Sequence, residues 1–275
     1  LDYQVNNELT AKLSYSESSR VPSPAELSCA DEKDPCKLPN GFVSDPPLEQ
    51  VVAKTVEASL QYNTDSVSAI ATLFSTKTID DIIFQQAGST SSEGYFVNID
   101  KIQRQGVELA YSIAFDDVKV GTSYNYLKAT FESPFVSFSP MNPLGANRQV
   151  TPGDIVPGQP QHQLKLHVDW QVNQDVNIGT ELLYASDSYY RGDEANENKK
   201  IPSYALVNLY LSYQLTKQLR VSAKVDNLFD NEFETFGTYG EADEVLEDFY
   251  PNVEEPYFVG PSRPRSFSVN INYNF

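Results

Sequence analysis

A chain of 275 residues is long enough for one large all-β domain or for two ordinary domains. Its net charge of -18 argues against a nucleic-acid partner, because nucleic acids are bound by basic surfaces. No apolar run of about 18 residues occurs in the sequence, which excludes a transmembrane helix but not transmembrane strands, since these place only every second residue against lipid.

Ten segments of the sequence are predicted to be β-strands. Several alternate apolar and polar residues with a period of two. In 162–172, for example, Leu164 and Leu166 face one way, and Lys165 and His167 face the other. The predicted spans are 8–17, 51–62, 66–77, 102–115, 118–130, 162–172, 176–189, 202–215, 218–228 and 265–275.

The connections between these segments alternate strictly between short and long. Three of the four short ones carry the Asn or Asp residues of tight turns. Several long connections are rare in compact soluble domains but usual in outer-membrane barrels, which have short periplasmic turns and long external loops. The pattern predicts an all-β fold, an antiparallel transmembrane β-barrel segment, over a soluble β-sandwich. The short connections are 63–65, 116–117, 173–175 and 216–217; the long ones are 18–50, 78–101, 131–161, 190–201 and 229–264.

The last predicted strand continues its alternation to the C-terminus. Phe267, Val269, Ile271, Tyr273 and Phe275 alternate with small polar residues. Chain termini of soluble proteins usually fray, so a fully patterned terminal strand favours a barrel that closes its sheet. We expect the C-terminus on the periplasmic side, where Phe267, Tyr273 and Phe275 would be the signal for the barrel assembly machinery.

Charged residues within the predicted strands are expected to point into the barrel lumen. A Lys or Arg on the lipid face costs about 2–4 kcal/mol at the bilayer midplane. Within a complete barrel these side chains would pair with one another or with an internal domain. They are Lys12, Glu57, Glu108, Lys119, Lys165, Asp169, Glu181, Arg220, Lys224 and Asp226.

The segment 229–264 is the most acidic of the predicted external loops, with 10 carboxylates against one arginine. Aromatic residues lie among them, so this loop could attract a cationic ligand and stack it on rings. The alternative is that the carboxylates only keep the exterior soluble and bind divalent ions that bridge lipopolysaccharide. The candidate ligand-facing residues are Glu241, Asp243, Glu244, Glu247, Asp248, Phe249 and Tyr250.

No catalytic, cofactor or metal site is predicted. The sequence contains neither a G-x-S-x-G nor an H-E-x-x-H motif, so we expect no enzyme. The acidic segment Arg191–Glu197 is rich in oxygen ligands but lacks the residue spacing of a calcium loop.

The two cysteines lie close together in one polar segment. Cys29 and Cys36 are expected to form a disulfide that closes the first external loop, in an oxidising compartment. The closed loop is short, so the stabilisation would be modest, roughly 2–3 kcal/mol.

Several motifs resemble those of TonB-dependent outer-membrane receptors. Asn227-Leu228-Phe229-Asp230 resembles the NLFD element that closes the penultimate strand in this family. Gly260–Phe267 resembles the G-P-x-R-x-R-x-F segment that leads into their last strand, although Phe233 stands where the family often has Tyr. Upstream, Arg20–Leu27 resembles their RxPxxxEL segment, and Arg104–Leu109 resembles their RxGxE strand.

The resemblance implies a receptor that is longer than this chain. Such receptors have a 22-stranded barrel, an N-terminal plug domain inside it and a TonB box. We therefore expect residues 1–275 to be the C-terminal portion of a barrel, with the plug and TonB box absent from this chain. The implied location is the outer membrane of a Gram-negative bacterium, with lipid, lipopolysaccharide and the TonB complex as partners.

The implied activity is energised uptake of a scarce small-molecule nutrient, most often a ferric siderophore. Cobalamin, haem and oligosaccharide receptors share the same barrel, so the sequence leaves the ligand open. The alternative function is a passive outer-membrane pore, or a small structural barrel, formed by this chain alone. An even ten strands could close in that way.

Overall fold

The computed structural model describes residues 1–28, 48–87, 94–240 and 256–275. Most of the chain forms β-strands, and no helix in the described part is long and apolar enough to cross a membrane. In chain order the elements are β1 (Asp2–Gln4), β2 (Leu9–Arg20), α1 (Pro24–Ser28), β3 (Val51–Asn63), β4 (Val67–Gln86), β5 (Gly94–Phe115), β6 (Val118–Phe131), β7 (Phe135–Phe138), β8 (Asn147–Val150), β9 (His162–Gln171), β10 (Val176–Ala185), β11 (Ser188–Tyr189), β12 (Lys200–Ile201), β13 (Tyr204–Gln214), β14 (Leu219–Asp226), β15 (Glu234–Tyr239), β16 (Tyr257–Pro261) and β17 (Ser266–Tyr273).

Eleven of these strands form one antiparallel sheet in the order β1-β2-β3-β4-β5-β6-β9-β10-β13-β14-β17. Each strand therefore pairs with the next sheet strand along the chain, as in an up-and-down barrel. The described residues contain no pairing between β1 and β17, so the sheet has two free edges and is part of a barrel. The alternative of a barrel closed by this chain alone is wrong for this structure.

Two sequence predictions about the strands are corrected by the structure. The sheet has eleven strands rather than ten, because the short β1 pairs with β2. Residues 78–101 are not a long loop, since β4 and β5 continue to Gln86 and from Gly94 as strands of 20 and 22 residues. Asp80 and Asp81 interrupt the apolar–polar alternation of this strand in the sequence. In the structure Asp80 takes a left-handed φ of 55° and Asp81 accepts a hydrogen bond from Arg104, so the pairing continues beyond this point.

The strand register separates the sheet into a polar face and an apolar face. Across four strands, Lys119 lies opposite Asp169, Asp169 opposite Gly179, and Gly179 opposite Tyr210. Because residues directly opposite one another share a face, counting by twos along each strand places all ten predicted lumenal charges on the polar face. The other face carries the apolar series, for example Leu73, Leu109 and Leu166. In a membrane barrel the first face meets the lumen and the second meets lipid.

One bulky side chain on the polar face lies flat across the neighbouring strand. The Tyr210 ring covers Gly179, where a Cβ atom would come within 1.9 Å of the ring. From there the Tyr210 hydroxyl donates a hydrogen bond to Asp169. Glycine is required at 179 because the backbone must be approached this closely.

The Asn227–Asp230 and Gly260–Phe267 motifs contact each other at the external end of β14. Asn227 is buried, has a φ of 51°, and its amide donates to the carbonyls of Asn231 and Arg263 at 2.9 and 3.0 Å. The Asp230 carboxylate accepts from the backbone N–H of Arg265 at 2.7 Å. This Asn227 corner therefore fixes how the chain leaves β14 and returns to β17.

The Arg20–Leu27 segment, which resembles the RxPxxxEL motif, contains the N-terminal cap of α1. Ser23 and Glu26 make a capping box on α1, in which the Ser23 N–H donates to the Glu26 carboxylate at 2.7 Å and the Glu26 N–H donates to the Ser23 hydroxyl at 3.3 Å. Pro24 occupies the first helical position, where no N–H is needed. Arg20 also donates to Glu26 at 2.7 Å, which ties the helix to the end of β2.

Candidate functional site: an external aromatic pocket

Three small two-stranded sheets stand at the external end of the large sheet. All their strands except β11, which lies at the end of the predicted strand 176–189, come from predicted long loops. The three sheets are β7–β8, β11–β12 and β15–β16. Two apolar clusters hold them in place. One joins Ile99, Ile102 and Phe131 of the large sheet to Val150 and to Ala195. The other is centred on the buried side chains of Tyr190, Ile201 and Tyr239.

An open cavity of about 660 Å³ lies among these elements. Its size falls within the range of small-molecule sites, which is roughly 300–1,000 Å³. Aromatic rings make up much of the wall, and amides, hydroxyls and one pair of opposite charges interrupt it. The lining residues used below are Phe84, Gln85, Gln86, Phe131, Gln159, Arg191, Glu194, Phe236, Tyr239 and Phe258.

Arg191 is the cation of this pocket. Its guanidinium carbon lies 5.2 Å from the centre of the Phe236 ring, which is within cation–π range. Its backbone is fixed on both sides, because its N–H donates to the Gly237 carbonyl at 3.0 Å and its carbonyl accepts from Tyr239 at 2.9 Å. The side chain itself remains exposed, so its outer N–H groups can reach an anionic or oxygen-rich ligand.

The loop after Arg191 is a closed hydrogen-bonded unit. Asp193 is fully buried, and its carboxylate accepts from the backbone N–H groups of Glu197 and Asn198 and from the Asn198 amide at 2.9–3.1 Å. Gly192 has a φ of 92°, and an added Cβ would meet the Ser139 hydroxyl at 2.7 Å. The Asp193 oxygens are thus occupied by protein donors. That this segment does not bind calcium stays a prediction.

Glu194 faces the pocket from the same loop. Its carboxylate accepts from the Ser137 hydroxyl at 2.7 Å and from the Gly192 N–H at 3.0 Å. These two donors hold the carboxylate within the wall, so Arg191 is the more exposed of the two charges.

Tyrosine rings support the far side of the pocket. Tyr190 packs against Tyr239 and Tyr257, with ring centres 5.6 and 5.3 Å apart. Burial raises the pKa of Tyr190 to about 12, and the nearby Glu234 carboxylate is the next largest cause of this shift. Burial likewise raises the pKa of Tyr239 to about 12, and the charge of Asp193 is the next largest cause. Both rings therefore stay protonated and neutral at any physiological pH.

The predicted ligand-facing residues of the acidic loop, 241–250, lie outside the described residues, and so do Cys29 and Cys36. The structure does place the base of that loop. Tyr239 of β15 pairs with Tyr257 of β16, and Tyr239, Gly240 and Phe258 line the pocket. The acidic segment therefore connects β15 to β16, two strands that contribute residues to the pocket wall.

The C-terminal residues lie on the free edge of the sheet. Phe267, Val269, Ile271 and Tyr273 all lie on the apolar face and are 54–73% exposed. The Tyr273 and Phe275 rings are 5.0 Å apart. The structure thus gives these residues a common exposed surface, and their role as an assembly signal stays a prediction.

Sequence reasoning missed most of the pocket. Phe84 and Gln85 fall in a predicted loop, whereas in the structure β4 extends through them and pairs with β5. Arg191 was read only as part of an acidic segment. Among the described residues no group of three His, Cys, Asp or Glu side chains is arranged to hold a metal ion.

Comparison with known proteins identifies the family. Residues 1–228 match the family model described as TonB dependent receptor-like, beta-barrel. This chain belongs to the TonB-dependent receptor β-barrel family. The iron-regulated outer membrane virulence protein of Vibrio cholerae is 26% identical over 210 residues, which are 71% of this chain and 29% of that protein.

Solved structures of receptors share the fold. The copper transporter OprC superposes on 100% of this chain and 38% of its own, with a TM-score of 0.72 and 18% identity. The ferric yersiniabactin uptake receptor FyuA from Yersinia pestis superposes on 100% of this chain and 36% of its own, with a TM-score of 0.69 and 18% identity. At these identities the likeness shows the fold alone.

The family places the chain in the outer membrane of a Gram-negative bacterium, among receptors and transporters rather than enzymes. The prediction of an antiparallel transmembrane β-barrel segment is confirmed. The chain spans less than two-fifths of the length of each relative named above.

Proposed function

We propose that this chain forms the C-terminal part of the barrel of a receptor that takes up a scarce nutrient, a ferric siderophore, with energy from the TonB complex. The plug domain and the TonB box would belong to the part of that receptor outside residues 1–275. The observation that carries the proposal is the external pocket, in which Arg191 stands over Phe236 among further aromatic rings.

The chemistry of the pocket suits a siderophore complex. Aromatic walls bind flat or apolar chelating groups, and an exposed guanidinium binds the negative charge of an anionic iron chelate. Amides from Gln85, Gln86 and Gln159 can fix the orientation of the ligand by hydrogen bonds. A cationic ligand attracted by the acidic loop would instead be repelled by Arg191. For such a ligand, neutralisation of the acidic loop should weaken uptake and substitution of Arg191 should not. For an anionic ligand the two effects should be reversed.

The experiment uses the full-length receptor in a strain that lacks it. Growth under iron restriction is measured with a panel of single ferric siderophores, in a tonB-positive strain and a tonB-deficient one. We expect one siderophore to support growth only when both receptor and TonB are present. Receptor-dependent uptake of cobalamin or copper in place of iron would contradict the siderophore proposal, and uptake that persists without TonB would contradict energised transport.

A pocket variant connects the growth phenotype to the site. Arg191→Gln removes the cation. Arg148→Gln is the matched control because Arg148 lies in another external connection, on β8, pairs with Glu197 and does not line the pocket. Loss of growth at low siderophore concentration in the first variant alone would place the ligand in this pocket.

A further inference from the structure

The Arg191 side chain is held in the external pocket by packing rather than by acceptors. Other arginines are anchored by carboxylates; Arg104, for example, donates to Asp81 at 2.9 Å. The Arg191 guanidinium has no hydrogen-bond acceptor and no ion pair among the residues that the structure describes. Glu194, the other charge of the pocket, is occupied by two other donors. Within the described chain the guanidinium N–H groups are therefore available to a ligand.

Three external connections meet at the backbone of Arg191. It belongs to the connection after β10, and it forms an isolated parallel β-bridge with Thr238 from the connection after β14. From the connection after β6, the Gly158 N–H donates to the carbonyl of Tyr189 at 2.9 Å, two residues before Arg191. The base of the Arg191 side chain is thus fixed from both sides.

Gly158 lies directly against the stem of the Arg191 side chain. A Cβ atom at position 158 would lie 3.3 Å from Nε and 3.5 Å from Cγ of Arg191. The first of these separations is closer than the optimal contact between non-bonded heavy atoms, which is about 3.5–4.0 Å. Any larger residue would therefore push the stem away and shift the guanidinium from its place beside Phe236, where its carbon lies 5.2 Å from the ring centre.

A tight turn holds Gly158 in this position. Pro157 and Gly158 are the central residues of the turn, and Gly158 has a φ of 76°. This is close to the φ of about 80° at the second central position of a type II turn, where glycine is favoured after proline. Val156, just before the turn, packs against the apolar cluster that contains Phe131. The turn is thereby anchored to the large sheet.

This arrangement directs the end of the guanidinium towards the cavity. Gly158 packs against the Nε side of Arg191, and the remaining N–H groups lie in the pocket that Arg191 lines. A planar guanidinium presents parallel N–H donors that match the two oxygens of a carboxylate. A lysine ammonium has the same charge but acts as a point charge without this planar match.

We propose that Gly158 is a positioning residue of the external pocket, which sets the Arg191 guanidinium to bind a carboxylate of the ligand through two parallel hydrogen bonds. The inference rests on the proposed function of the pocket in binding the transported nutrient. It adds the kind of anion that the ligand presents, a planar group with two oxygens, and it assigns the selectivity to a residue that has no side chain.

The test uses the full-length receptor purified in detergent, with benzoate as the probe and benzyl alcohol as an uncharged probe with the same ring. Dissociation constants are measured by saturation-transfer NMR. Gly153→Ala is the matched control for Gly158→Ala, because Gly153 lies in the same external connection at a φ of 104° and an added Cβ there meets nothing within 4 Å. Both substitutions strain the backbone, and only one contacts Arg191. Arg191→Lys keeps the charge, and Arg191→Gln removes it.

We expect Gly158→Ala and Arg191→Lys to bind benzoate about tenfold more weakly than the wild type and Gly153→Ala, because one charge-assisted hydrogen bond is lost. Binding of benzyl alcohol should be the same in all forms. In an Arg191→Gln background, Gly158→Ala should have no further effect, since it acts through Arg191. A merely structural role of Gly158 would leave its effect unchanged in that background. Heat-modifiable migration on a gel shows that each variant is folded.

Equal benzoate binding by Gly158→Ala and Gly153→Ala would overturn the proposal. Wild-type benzoate binding by Arg191→Lys would also overturn it, as would a wild type that does not prefer benzoate to benzyl alcohol. Should Gly158→Ala fail to fold, these last two measurements decide.

Growth on single ferric siderophores is measured in parallel to separate the two proposals. The expected benzoate pattern without growth on any siderophore would contradict the proposed nutrient and leave the role of Gly158 intact. Growth on one siderophore with equal benzoate binding by Gly158→Ala and Gly153→Ala would contradict the role of Gly158 alone.

Discussion

Arg191 and Phe236 come from different external loops, yet the Arg191 guanidinium lies 5.2 Å from the centre of the Phe236 ring. The pairing is supported by the backbone, since Arg191 exchanges hydrogen bonds with Gly237 and Tyr239 on either side. The loop that follows β10 and the loop that follows β14 are thereby joined. The external pocket depends on this junction, because each loop supplies part of its wall.

Arg191→Gln is expected to weaken binding of the transported ligand about tenfold or more. A hydrogen bond to a charged group contributes about 1.5–3 kcal/mol, and the variant removes the exposed guanidinium of the pocket. Isothermal titration of the purified receptor with the identified ferric siderophore measures the effect. Arg148→Gln is the control, and an equal loss of affinity in both variants would count against the pocket.

The acidic segment 241–250 offers a test of the opposite ligand charge. Neutralisation of four of its carboxylates, Glu241, Asp243, Glu244 and Glu247, by Gln or Asn should weaken uptake at low salt if the ligand is cationic. The matched control neutralises Asp65, Asp116, Asp117 and Asp175 in the periplasmic turns. Unchanged or improved uptake in the first variant would contradict attraction of a cation and would agree with a ligand held by Arg191.

Asp193→Ala is expected to open the loop around the pocket. The substitution leaves three partly buried N–H donors without this acceptor, and an unsatisfied buried donor costs about 1–3 kcal/mol. The temperature at which the receptor loses its heat-modifiable form should fall. The fall should be smaller for Asp193→Asn, because asparagine keeps one acceptor oxygen. Addition of millimolar calcium should leave wild-type stability unchanged, and a calcium-dependent rise would show that the loop binds the ion after all.

Asn227→Ala should destabilise the corner that joins β14 to β17. The change removes two donated hydrogen bonds and the acceptor for the Asn231 N–H, and it places alanine at a φ of 51°. A loss of about 2–4 kcal/mol follows from these contributions. Urea unfolding in detergent measures it, with the exposed Asn272→Ala on β17 as the control. Similar midpoints for the two variants would mean that the corner does not stabilise the barrel.

The Glu26 carboxylate gives a pH dependence. The hydrogen bond from Arg20, supported by the Ser23 backbone and hydroxyl, lowers the pKa of Glu26 to about 2. Because this folded-state pKa lies below the ordinary value of about 4.3, its stabilisation of α1 is complete above that value. The stabilisation is lost as the pH falls towards 2.

The carboxyl carbon shift of Glu26, followed by NMR over this pH range, checks the prediction. A midpoint near 2 is expected in the wild type, and Arg20→Gln should move the midpoint upwards. Glu8, which lies in the turn after β1, serves as the control carboxylate. A wild-type midpoint near 4.3 would show that the Arg20 contact is not maintained in solution.

The sequence by itself determined the large sheet. Period-two alternation sets which residues share a face, and short Asn- or Asp-containing turns at 63–65, 116–117 and 173–175 fix antiparallel pairing between successive strands. These are local properties, so they can be read without coordinates. The ten charges expected in the lumen share one face for the same reason, because a change of one residue in register would turn every side chain around.

Only the tertiary structure decided the pocket. Arg191 and Phe236 are distant in sequence, and their contact depends on two loops that pack against each other through Tyr190, Ile201 and Tyr239. The extension of β4 beyond Asp80 was not predicted because Asp80 and Asp81 interrupt the apolar–polar alternation, whereas Arg104 from the partner strand binds the Asp81 carboxylate in the structure. Contacts between strands and loops are set by packing and pairing across the sheet, which local sequence patterns do not encode.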